Sequence, residues 1–124
     1  MANIKWKDVA ELDFREEADR KKAIQMLKCI KPLSKYKDKD IDVPIDKIEK
    51  TIWVLTRKYN ESIRFVRLDS FANEENLLWL ADIYNDNNLS CYRMYGLSIY
   101  ELFTKVAIIM YLMREQVGER KEGM

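Results

Sequence analysis

An all-α fold, a compact bundle of about four to six helices around a buried C-terminal helix, is predicted by three observations in this sequence. The stretch Leu97–Gly118, LSIYELFTKVAIIMYLMREQVG, opens on the capping pair Ser98 and Glu101 and ends on a glycine. Ile99, Leu102, Phe103, Val106, Met110, Met113 and Val117 share one helical face, while Tyr100, Ala107, Ile108 and Tyr111 make the other side barely polar. A helix apolar all round must be enclosed by its own domain or by a second copy. Glycine and proline are scarce, with 3 and 2 copies, so turn punctuation for a many-stranded sheet is thin. Finally, Ile45, Ile48, Ile52, Leu55 and Tyr59 follow the 3-4-3-4 spacing of an amphipathic helix.

Composition sets the outer bounds. A chain of 124 residues with 48% hydrophobic and 35% charged residues reads as one helical domain, 1–124, with a core of its own. Its formal net charge of +1 supplies no bulk field toward nucleic acid or an anionic membrane. The longest apolar run is short of the ~20 residues a bilayer span needs. Cys29 and Cys91 form no CxxC pair and read as reduced thiols, and Met1–Phe14 lacks the apolar core of a signal peptide, so a cytoplasmic protein is expected. The sequence contains no histidine, which removes the commonest general base and the Ser–His and Cys–His nucleophile pairs. A non-enzymatic protein without a cofactor is therefore the expectation.

Taken in order, residues 1–12 carry no clear period and read as a strand or an arm. Asp13 with Glu16 forms a second capping box, opening a helix over about 14–30 whose core stripe is Ala23, Ile24, Leu27 and Ile30. Pro32 ends it, and a charged connection runs from Leu33 to Val43 before Pro44 starts the helix through Tyr59. Ser62–Phe71 is read as helix, since Arg64 and Arg67 lie three apart, with a short strand over 63–68 as the alternative. Asn73 caps a helix with Glu74 and Glu75 in its first turn and Leu77, Leu78, Leu80, Ala81 and Tyr84 inward. Asn85–Asn88 stops it. Leu89–Tyr95 is read as a short helix closed by Gly96, with a strand over 89–95 as the alternative, and residues 119–124 form a frayed tail.

Two constellations could carry chemistry. Arg64 and Arg67 with Tyr92, Arg93 and Tyr95 combine the residue types enriched in protein interfaces and also suited to base stacking. These five are the candidate partner-binding residues. The second runs from Asp38 to Glu49 and resembles an EF-hand calcium loop, with carboxylates at loop positions one, three, five, nine and twelve. The resemblance implies Asp38, Asp40, Asp42 and Glu49 as Ca2+ ligands, Asp46 as a water-mediated one and Pro44 as the carbonyl donor. It departs at the sixth position, where Val43 stands in place of the turn glycine. The other reading is an acidic connection whose aspartates cap the next helix.

The expectation is thus a binding module whose partner is another protein or a second copy: a small regulator, an inhibitor or an assembly subunit. Lysine outnumbers arginine, and asparagine and isoleucine are plentiful, as in a low-GC bacterium or its phage. A divalent-cation protein and a nucleic-acid or nucleotide binder are the alternatives.

Overall fold

The computed structural model describes residues 4–68, 78–85 and 91–115. Helix α1 (Trp6–Ala10) leads to α2 (Glu17–Lys28), a 3-10 turn (Lys31–Tyr36) and α3 (Ile45–Tyr59). Three strands follow, β1 (Glu61–Leu68), β2 (Leu78–Asn85) and β3 (Cys91–Gly96), and then α4 (Ile99–Ile108), which continues into a π turn over Ile109–Met113. The all-α helical bundle is overturned. The strands form an antiparallel sheet in the order β1-β2-β3, paired from Glu61↔Asn85 to Leu68↔Leu78 and from Trp79↔Gly96 to Tyr84↔Cys91.

The corrections have physical causes. Over 62–68 and 91–95 the strand alternative prevails, because Ile63, Phe65, Val66, Tyr92 and Tyr95 suit a pleated, half-buried surface. The helix expected over 73–84 is a strand from Leu78 onward. Its start at Asn73–Glu75, and the stop over Asp86–Asn88, lie outside the described residues, as do Val117, Gly118, the 119–124 tail and residues 1–3. The arm contains α1, whose Val9 is fully buried. The Asp13–Glu16 box does not form: the Asp13 carboxylate takes the Arg15 N–H and guanidinium, and α2 begins only at Glu17. Asn60, in the left-handed region at φ 52, ends α3 and turns the chain into β1, a conformation asparagine tolerates better than most residues.

The capping pair of α4 is real but shifted. Ser98 Oγ accepts from the Glu101 N–H at 3.1 Å, and the Glu101 carboxylate accepts from Leu97, one residue before the cap, at 3.1 Å. One chain encloses this helix: Leu102, Val106, Ile108 and Met110 are all fully buried. They share the core with Leu27, Ile48 and Ile52 from the helices, Ile30 from the link after α2, and Ile83 and Met94 from the sheet. The π turn adds one residue to the winding; beyond it Arg114 reaches Glu61, and Glu115 reaches Lys58 and Tyr59. Gly96 ends β3 under the first turn of α4, where a Cβ would come within 3.0 Å of the Leu102 nitrogen. Among the described residues no helix is long and apolar enough to cross a membrane.

Candidate functional site

Strand parity divides the sheet's side chains between two faces. Ile63 and Phe65 of β1, Ala81 and Ile83 of β2, and Tyr92 and Met94 of β3 join the helical core. The Phe65 ring lies 5.2 Å from that of Phe103 on α4. The opposite face carries Arg64 and Val66, then Leu80, Asp82 and Tyr84, then Arg93 and Tyr95. Register places Asp82 directly between Arg64 and Arg93.

Asp82 is the hinge of that face. Arg93 grips it in a fork, Nε to Oδ1 at 2.8 Å and Nη2 to Oδ2 at 3.1 Å. Arg64 Nη2 reaches Oδ2 at 2.7 Å, and the Tyr84 hydroxyl donates to the same oxygen at 3.2 Å. The carboxylate is wholly buried beneath its partners, while the arginine side chains stay 56% and 51% exposed. The Arg93 fork, with Arg64 and Tyr84, holds the Asp82 pKa down to about 2 against the opposing pull of burial. The carboxylate in turn raises the pKa of both guanidinium groups. Tyr95 stands beside Arg93, 42% exposed. Two arginines are thereby held in place, with part of each in solvent.

Of the five expected partner-binding residues, Arg64, Arg93 and Tyr95 share this face. Tyr92 points the other way: the Arg114 guanidinium lies 4.4 Å from its ring centroid and donates to its hydroxyl at 2.8 Å, and Trp6 meets the ring edge-on at 5.1 Å. Arg67 is also on the helical side, 5.7 Å above the Trp79 ring, its directly opposed neighbour. Asp82 lies on β2 and not on the helix that the apolar spacing predicts over 73–84; its signal in the sequence is the alternation Leu80, Asp82, Tyr84.

A second charged cluster is structural. Lys105 and Glu101, 2.9 Å apart, are both within 5% of complete burial. The ammonium also donates to the Ala10 carbonyl at 3.1 Å and the Tyr95 carbonyl at 2.9 Å, which uses all three of its protons.

The acidic connection is arranged differently from a calcium loop. Val43 is buried in the core and its carbonyl accepts from the Tyr100 hydroxyl at 2.7 Å. Asp42 faces Arg20 at 3.8 Å, Asp38 and Asp40 are exposed, and Asp46 and Glu49 ride on α3 after Pro44, its N-cap. Among the described residues no three acidic or thiol side chains gather closely enough to hold a metal ion. A chelator is expected to leave the melting temperature unchanged; a fall that Asp38→Ala reproduces would restore the calcium reading.

Fold and site together define a mixed α/β domain, with one sheet face packed on helices and the other bearing an arginine–tyrosine patch. No family model matches the chain, and no curated protein or solved structure matches it significantly.

Proposed function

We propose that the protein is a non-enzymatic, cytoplasmic binding module that receives another protein, a second copy included, on the sheet face turned away from its helices. Such a module serves as a small regulator, an inhibitor or an assembly subunit. One observation carries the reading: Arg64 and Arg93 are clamped by a buried Asp82 beside an exposed Tyr95. Arginine and tyrosine dominate the energetic centres of protein interfaces. Side chains already fixed before binding lose less freedom when a partner arrives. Asp82 cancels one of the two positive charges, leaving little attraction for a polyanion. The lack of histidine supports a role without acid–base chemistry.

The test is Tyr95→Ser, which removes an exposed ring and leaves the Asp82 clamp intact. Mass in solution by light scattering, and recovery of a bound protein from cell extract, are compared with the unaltered chain. The expected result is association weakened by about tenfold or more, with the melting temperature little changed. Association equal to that of the unaltered chain in both assays would sink the proposal. Oligonucleotide binding that falls steeply with salt would favour nucleic acid instead.

A further inference from the structure

We propose that the groove between the 3-10 turn and α3 takes an acidic segment of a protein partner, seating one apolar side chain between lysines. The groove has a volume of about 200 Å³ and is walled by Pro32, Leu33, Lys35, Lys47, Lys50 and Val54. Leu33 is its buried floor, and Val54, 52% exposed, is an apolar wall that no described residue covers. Pockets for small metabolites begin at about 300 Å³, so this one suits a single side chain of a peptide.

Charge supplies the rest of the argument. Three lysines line the groove and no carboxylate does; Asp46 and Glu49 of the same helix stay outside its walls. The buried carboxylates Asp82, Glu101 and Glu61 are matched to Arg64 and Arg93, to Lys105 and to Arg114, and none of these lines the groove. Lys35, Lys47 and Lys50 have no ion-pair partner among the described residues, although the Lys35 ammonium lies 5.4 Å from the Tyr36 ring centroid. A concave apolar floor ringed by unneutralised ammonium groups complements a hydrophobic residue flanked by glutamates or aspartates. The lining contains no arginine to fork a phosphate and no aromatic ring to stack a base, which favours peptide over nucleic acid. This inference goes beyond the sheet-face reading and shares no residue with it.

The experiment titrates the intact protein into a fluorescein-labelled peptide bearing one leucine between runs of glutamate, read by fluorescence anisotropy. Saturable binding is expected, weakened by roughly tenfold or more in the Lys47→Glu/Lys50→Glu variant. Lys35→Glu, on the opposite wall, weakens it independently and serves if the double variant fails to fold. A peptide with glycine in place of leucine binds less tightly. Tyr95→Ser leaves this binding unchanged, so the two readings fail separately. Absence of saturable binding, equal affinity for the glycine peptide, or stronger competition by an oligonucleotide of equal charge each overturns the proposal.

Discussion

Lys105→Ala lowers the unfolding free energy by about 3–5 kcal/mol, the cost expected when one member of a buried ion pair is removed. The ammonium is 3% exposed and binds the Glu101 carboxylate and the carbonyls of Ala10 and Tyr95. Alanine leaves a buried carboxylate whose one remaining hydrogen bond among the described residues is from the Leu97 N–H, and two carbonyls without that donor. The pair itself contributes less than its breakage costs, because bringing two charges out of water offsets most of their attraction. Lys105→Met with Glu101→Gln removes both charges and keeps an acceptor for Leu97, so most of the lost stability returns. Urea denaturation of the single and double variants measures this. A loss below about 1 kcal/mol for Lys105→Ala would contradict a buried pair.

The second large effect belongs to Asp82 and depends on pH. Its pKa falls from 3.8 to about 2 in the folded protein, chiefly through the Arg93 hydrogen bonds. A carboxyl with a depressed folded pKa contributes stability that is fully present above its unfolded value. That contribution disappears as pH drops through the folded one. The shift corresponds to about 2 kcal/mol. Asp82→Asn is therefore less stable than the unaltered chain by about that amount at neutral pH, and the gap closes between about pH 4 and 2. Asp13 and Glu115, whose pKa values are also lowered, stay in both proteins and cancel in the comparison. Parallel stability curves on the acid side would remove the clamp as a source of stability.

Local chemistry was enough to read α3 and the start of α4, though not the short α1 or the start of α2. The 3-4-3-4 apolar spacing located α3, and Ser98 with Glu101 located the start of α4, because cap and period are set by residues a turn apart. The sheet was not legible in the same way. Leu77, Leu78, Leu80, Ala81 and Tyr84 satisfy helical spacing, yet from Leu78 on they belong to a strand. Leu80 is buried on one face of β2, and Ala81 and Ile83 on the other, so the alternation that marks a one-sided strand is blurred. The same ambiguity dispersed the candidate site. On a helix Arg64 and Arg67 would be neighbours; on a strand an odd separation sends them to opposite faces, as it does Tyr92 and Arg93. The place of Asp82 between two arginines becomes visible only through cross-strand register, a long-range relation that no local window contains.

The contact between Lys105 and the Ala10 carbonyl also constrains the order in which the molecule can be assembled. It joins positions 95 residues apart, whereas the three strands pair with their neighbours along the chain. Closing so long a loop carries more entropy cost than zipping adjacent strands, so the meander can form early while α1 waits. During synthesis α1 emerges well before α4, and the ammonium that fixes it arrives 95 residues later. Among the described elements, α1 is thus made first and secured late.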